Sequence, residues 1–369
     1  MFKLFYKKNK KTPSELKAPN WFKRHKKLAI ILSVAAVLVI GGGVATALYF
    51  INKKPAEVTP AKVVKPAPAP EPAKFYSPLT GNLVADTAAT SQAVTAIMIE
   101  NSPDARPQSG LKDAGVVFEA IAEGGITRFL TLFQQEKPAL VGPVRSVRMY
   151  YVDWLAAFNA SVAHVGGSAA ALAEVRSGTY RDIDQFFNPG TYWRATDRYA
   201  PHNVYTSFEK LDALNAAKGY TSSTFTGFTR KDSKALATPA ATSINVTISS
   251  ALYNSAYTYD AATNVYNRSQ AGAPHLDREG GQISPRVVIV MKVPMRLVME
   301  DGYREQIDAI GTGSATIFQD GDVKEVTWTK ASKAEQIKFT DAEGKDYPLA
   351  RGQTWITAVP SDTGAVTWQ

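Results

Sequence analysis

Residues 142–178 read GPVRSVRMYYVDWLAAFNASVAHVGGSAAALAEVRSG, and the succession of patterns in them decides the fold class. Pro143 to Met149 reads as a strand. Tyr150 to Asn159 reads as an amphipathic helix, because Val152, Leu155 and Phe158 recur at helical spacing on one face. Ser161 to Val165 returns to a strand, and Gly166-Gly167-Ser168 opens a second helix, with Ser168 in the position of an N-cap. Strand, helix, strand, helix in succession is the signature of an α/β domain. Working outward, Ala93 to Ile99, Gly115 to Ile121 and Thr127 to Gln134 add buried strands, and Ser207 to Lys218 adds a closing helix. The α/β domain is therefore expected over residues 75–221, with an interdomain connection rich in Ser, Thr, Ala and Lys over 222–243.

After that connection the texture changes. Short strand patterns recur at Asn245–Ile248, Tyr257–Asn267, Arg286–Val293, Ala315–Gln319, Val323–Thr329, Gln336–Thr340 and Thr354–Val359. Asp320-Gly321 supplies the positive φ of a tight hairpin, and Glu343-Gly344 reads as another turn. Residues 244–369 are thus expected to form a mostly β domain.

The N-terminal end is of a different kind. The formal net charge of +9 resides in residues 1–27, which carry ten Lys/Arg against the single acid Glu15. With charge balanced elsewhere, nucleic-acid binding loses its main support. Leu28 to Phe50 is a run of 23 residues without a charge. As a helix it would span about 35 Å, enough for a hydrocarbon core of about 30 Å. We read it as a single transmembrane helix with a basic cytoplasmic tail, which places everything after it outside the membrane. A cleaved signal peptide is the competing reading, but its apolar region would be shorter, about 7 to 15 residues. Residues 51–74, with six prolines, read as an extended linker. The sequence has no cysteine, which excludes a disulfide framework, a thiolate metal site and a cysteine nucleophile.

Chemistry is concentrated between residues 98 and 206. Arg145 and Arg148 stand three apart, with Arg106 and Arg128 upstream, and a guanidinium grips phosphate or carboxylate through two hydrogen bonds. Gly166, Gly167 and Ser168 at a helix start would present backbone N–H groups to an anion. Glu100, Asn101, Ser146, Arg194, His202 and Asn203 complete the candidate ligand-binding set. His164 and Glu123 are the candidates for moving a proton. Ion pairing of these arginines with Glu100, Glu119, Glu123 or Asp153 is the simpler alternative. Neither HExxH ligand spacing nor a GxSxG elbow is present, so no metal, cofactor or complete catalytic motif is expected. Tyr151, Trp154 and Phe158 are expected in the core. Trp193-Arg194 is expected in a surface loop, and Trp328, Trp355 and Trp368 on β patterns.

Several of these motifs carry a family resemblance. Ser77-Pro78-Leu79-Thr80-Gly81, Arg106 to Leu111 (RPQSGL), Glu123 to Arg128 (EGGITR), Gly142 to Ser146 (GPVRS), His164 to Ser168 (HVGGS) and Pro201 to Thr206 (PHNVYT) resemble the N-terminal domain of the YerB-like bacterial lipoproteins. Tyr266-Asn267-Arg268, His275-Leu276-Asp277, Gly311-Thr312-Gly313 and Gly352 to Trp355 (GQTW) are similar to that family's second domain. The resemblance implies a membrane-attached, extracytoplasmic protein and brings no established activity. Without a cysteine to lipidate, the apolar helix takes the place of a lipid. The sequence therefore leads to a membrane-anchored envelope protein that binds or scaffolds an anionic or glycan ligand, such as a cell-wall glycan or anionic polymer, or an envelope protein. An envelope hydrolase or transferase acting on glycan or lipid-linked pyrophosphate is the alternative.

Overall fold

The structure is a computed structural model that describes residues 25–53, 73–298 and 304–369. The basic tail up to Arg24 and the linker between residues 54 and 72 lie outside the described residues. The chain divides after Glu71 into two units. The first contains one helix, Lys26–Ile51, that is long and apolar enough to cross a membrane. It extends the expected segment by two residues at the start and one at the end.

The second unit is organised by one mixed sheet of twelve strands among the described residues. In chain order these are β1 (Thr95–Glu100), β2 (Val116–Glu123), β3 (Ile126–Phe133), β4 (Ser161–Ala163), β5 (Arg181–Asp182) and β6 (Val287–Val293). They continue as β7 (Met295–Val298), β8 (Arg304–Ile307), β9 (Gly311–Gln319), β10 (Asp322–Lys330), β11 (Lys338–Thr340) and β12 (Thr354–Pro360). The order across the sheet is β11-β10-β9-β6-β12-β2-β3-β1-β4-β5, with the β7–β8 hairpin joined to the end of β2. Strand β12 runs parallel to both β6 and β2, so strands from before and after residue 222 share one continuous sheet. The change of texture in the sequence marks a change of connection type. It does not mark a break in hydrogen bonding.

Both faces of the sheet are covered, which explains why β1, β2 and β3 read as near-continuous apolar runs. On one face Ala96, Met98, Phe118, Leu130 and Leu132 pack against the helix Met149–Leu155, whose Tyr151, Trp154 and following Phe158 are buried as expected. On the other, Ile97, Ile99, Val117, Phe129 and Phe133 meet the helix Phe208–Ala217 and a five-stranded sheet. That second sheet contains Ser243–Thr247, Ser255–Asp260, Val265–Gln270, Ala273–Pro274 and Ala365–Trp368.

Three local expectations are corrected. Pro143–Arg148 is extended but makes only isolated bridges, Val144 to Ile99 and Val147 to Gly167, because it runs beside β1 only at that strand's last residues, and Met149 already begins the helix. Tyr257–Asn267 breaks into two strands at Asp260, whose carboxylate accepts from the Ala262 N–H and the Thr263 hydroxyl and so turns the chain. Trp193 and Arg194 sit on a short strand, Tyr192–Arg194, paired with Val204–Thr206. The three later tryptophans all lie in strands: Trp328 and Trp355 are buried, and Trp368 pairs across strands with Ile244 at the surface. The Asp320-Gly321 hairpin is present, with φ of 58° and 77° at the two residues, between β9 and β10.

The two sheets are pinned by a buried polar network. Arg268 and Glu119 have side-chain exposures of 0% and 1%, and Arg268 Nη2 donates to Glu119 Oε2 at 2.9 Å. Glu119 also accepts from Trp355 Nε1 at 3.1 Å and the Thr127 hydroxyl at 3.2 Å. The guanidinium lies 4.6 Å from the centroid of the Trp355 ring, and it donates to His275 Nδ1. His275 Nε2 is 3.0 Å from Gln108 Oε1, so the ring is a neutral imidazole with its proton on Nε2. Burial first, and then the Arg268 and Arg106 charges, hold the His275 pKa well below the usual histidine value.

This burial has a consequence for pH. His275 resists protonation when folded but not when unfolded, so its contribution is lost as pH falls below about 6.5. Asp277, two residues on, has the opposite sign. Its carboxyl is pushed up to about 6, by burial foremost and by its hydrogen bond with Glu279, so folding favours its protonated form and it costs stability as pH rises toward and through 6. Between about pH 4 and 6 the two terms oppose each other. We expect His275→Gln to expose a stability that falls with rising pH over this window, and Asp277→Asn to expose one that rises. Urea unfolding across the window measures both, and parallel profiles for parent and variants would refute the assignment.

Candidate functional site

The candidate residues gather where the parallel strands β1, β2 and β4 end, the end of an α/β sheet at which ligand-binding loops converge. Side chains alternate along β1 and β3, so Glu100 at the end of β1 and Arg128 near the start of β3 share the face with Met98 and Leu130. By strict alternation Glu123 would face the second sheet. A bulge between Ile121 and Glu123 shifts the register, and Glu123 meets Arg128 Nη2 at 2.6 Å. Arg148 Nη2 donates to the other oxygen of the same carboxylate. Glu123 thus carries two guanidinium groups that are almost fully buried, while its own side chain stays about a quarter exposed at 26%.

The segment Arg145–Arg148 lies across these strand ends. Its Arg145 N–H donates to Met98 O at 2.8 Å and its Val147 N–H to Gly166 O at 3.0 Å, which ties it to β1 on one side and to the loop after β4 on the other. Arg145 Nε lies 3.2 Å from Glu100 Oε1, and His202 Nδ1 lies 3.0 Å from Glu100 Oε2 and 3.1 Å from the Ser102 hydroxyl. Arg128 Nη1 donates to Ser146 O at 3.1 Å, which links the two ion-pair groups. Burial foremost lowers the Arg128 pKa from its ordinary value.

The remaining candidates take other places. His164 is fully buried, with Nδ1 2.8 Å from Gly166 O and Nε2 3.0 Å from Asp182 Oδ1, so neither nitrogen is left to trade a proton with a ligand. Its contacts describe a strut. The turn Gly166-Gly167-Ser168 likewise serves its own chain. The Ser168 N–H donates to Val147 O at 3.2 Å, its hydroxyl accepts from the Ala171 N–H at 3.4 Å, and the helix that follows, Ala169–Val175, has only seven residues. A side chain at Gly167 would meet Val147 Cγ1 at 2.8 Å, so this glycine is required by close packing. Asn101 and Arg106 belong to the opposite face: Asn101 donates to the Thr127 hydroxyl, and Arg106 donates to Asn101 and to Leu252 O. Arg194 and Asn203 form a separate pair at 2.7 Å.

Reading by residue type missed the hairpin β7–β8. With Arg148, Tyr150, Asp153 and Ser168, its Arg304 and Glu305 line a cleft of about 520 Å³. Burial raises the Asp153 and Glu305 carboxyls above their usual range. No local pattern announces the pairing of Met295–Val298 with its partner strand, and the attachment of Arg304 to Glu123 joins residues distant in the chain.

The family of protein of unknown function DUF3048 matches this chain twice, through its N-terminal domain over residues 79–221 and its C-terminal domain over residues 244–356. The chain belongs to the DUF3048 family. It is 35% identical over 297 residues to the Bacillus subtilis (strain 168) protein described as "Putative lipoprotein YerB", covering 78% of this chain and 87% of that protein. The crystal structure of YerB from Bacillus subtilis superimposes with a TM-score of 0.70 at 32% identity, covering 80% of this chain and all of that one. The YerB-like resemblance carried by the short motifs is therefore shown. The DUF3048 N-terminal domain contains the whole arginine–carboxylate group, and the cleft beside it is completed by the C-terminal domain's β7–β8 hairpin.

Proposed function

We propose that this DUF3048 protein is a membrane-anchored, extracytoplasmic binding module of the cell envelope that takes an anionic polymer on the Glu123 face of the sheet. One observation carries the reading: Arg128 and Arg148 are gathered on one partly exposed carboxylate, and Arg148 continues into a cleft it shares with Arg304 and Ser168. Guanidinium groups already desolvated and oriented pair strongly with phosphate or carboxylate. The test is titration of the full chain, in an uncharged detergent, with inorganic polyphosphate. We expect binding that weakens steeply with salt and falls by at least about tenfold in Arg148→Ala, a loss of about 1.4 kcal/mol. Absence of binding at low salt would sink the reading.

A retained apolar helix is the anchor in this reading. With no native cysteine, single substitutions Ser14→Cys and Ser361→Cys report topology without background. A membrane-impermeant maleimide added to intact cells should label only position 361. Labelling at 14 would reverse the orientation, and loss of the N-terminal segment from the mature protein would favour a cleaved signal.

A second reading, an envelope hydrolase or transferase, draws on Asp153 and Glu305. These two carboxyls with raised pKa values border the same cleft beside Arg148 and Arg304 and are suited to proton donation. Turnover of a glycan or a lipid-linked pyrophosphate, abolished in Asp153→Asn or Glu305→Gln, would favour it.

A further inference from the structure

A second cleft lies at the other end of β1. Glu100 closes β1 on the arginine side, and Thr95 opens it about 17 Å away at strand rise. Around that opening, Gln92, Gln135, Lys137, Asp212, Asn215 and Tyr220 line a cleft of about 440 Å³. None of these residues takes part in the arginine group.

The side chains at this cleft specify a ligand class. Asn215 is 3% exposed, and its amide nitrogen donates to the Thr95 hydroxyl at 3.1 Å, but its Oδ1 has no partner among the described residues. Gln135 repeats the arrangement: its Nε2 donates to Ala89 O at 3.0 Å and its buried Oε1 is unpartnered. Two buried acceptors left unpaired each carry a desolvation cost that a hydrogen-bond donor would remove. An anion brings no such donors and would face two carbonyl dipoles, and Lys137, the one cation among the six, is already bound to Asp212 at 3.0 Å. A metal cation is disfavoured by the same neutralised carboxylate. An apolar ligand would leave both acceptors dry. What remains is a neutral compound rich in hydroxyl groups. Tyr220, whose ring has Arg181 at 5.6 Å from its centroid, adds an aromatic surface of the kind that packs on the apolar face of a sugar ring.

We infer that this cleft is a binding site for a neutral sugar ring, separate from the arginine site, so that the protein holds a glycan and an anionic polymer at opposite ends of one strand. The test is saturation-transfer NMR on the full chain in a detergent without a sugar headgroup, with chitotetraose as the probe and maltotetraose as a differently linked sugar. Transfer to ring protons of either sugar, unaffected by excess polyphosphate, is the expected result. Tyr220→Ala and Gln135→Ala should each weaken binding by about tenfold or more while keeping the parent's unfolding midpoint and polyphosphate affinity. If Tyr220→Ala lowers the midpoint, Gln92→Ala, an exposed side chain lining the same cleft, provides the second test. No transfer at about 10 mM sugar would overturn the inference. So would transfer that survives every one of these substitutions, or displacement of the sugar by polyphosphate.

Discussion

Replacing Arg268 by methionine is expected to lower the stability of the protein by about 3–5 kcal/mol, the largest effect of any single substitution proposed for it. The reason lies in what is left behind. Glu119 is 1% exposed, and without the guanidinium its charge would rest in the core on neutral hydrogen bonds from Trp355, Thr127 and, at 3.5 Å, Thr357. His275 would lose the donor to its Nδ1 at the same time. The accompanying substitution Glu119→Gln removes the charge and keeps a carbonyl acceptor for Trp355 Nε1, while its amide N–H2 faces the Thr127 hydroxyl, which can turn to accept. The double variant should therefore be more stable than Arg268→Met alone, which gives a coupling of opposite sign to simple addition. Denaturant unfolding of the four proteins measures this directly. A loss below about 1 kcal/mol in Arg268→Met would show that water or rearranged neighbours compensate the buried carboxylate.

Glu123→Gln carries the second large effect, and its two consequences have opposite signs. Removing the carboxylate charge leaves Arg128 and Arg148, both largely buried, without the counter-charge they share, and should cost about 1–3 kcal/mol of stability. The same change raises the positive potential where polyphosphate is proposed to bind. Affinity should rise by about tenfold at low salt, with a steeper salt dependence. A purely structural ion-pair cluster would give the first effect without the second. Loss of both stability and polyphosphate affinity would mean that Glu123 orients the arginines for the ligand more than it competes with it. Isothermal titration at two ionic strengths, together with urea unfolding, separates these outcomes.

Much of this protein is written locally. The uncharged run that becomes Lys26–Ile51, the helix start at Ser168, the burial of Tyr151, Trp154 and Phe158, and the Asp320-Gly321 turn all follow from nearest-neighbour preferences or from a single period. The arginines could be singled out by residue type, and Glu100 and Glu123 by their places near strand ends. What each arginine touches could not. Glu123 reaches Arg128 because a bulge in β2 changes the face it presents, and one extra residue in a strand leaves no mark in composition. His164 stands out by its chemistry, but its burial against Asp182 depends on β4 and β5 lying side by side.

The kinds of element, the apolar N-terminal helix and the membership of the YerB-like family are legible along the chain, because periodicity, turn chemistry and ordered motifs act over a few residues. That β2 and β12 pair across more than two hundred positions, that Glu119 and Arg268 neutralise each other in the core, and that Asn215 and Gln135, each with an unpaired buried carbonyl, line one cleft are outcomes of the assembled fold. Those outcomes depend on which sheet face meets which, and the energies involved come from burial and from charges brought together by the fold. Neither quantity exists in the chain until distant strands have been placed side by side.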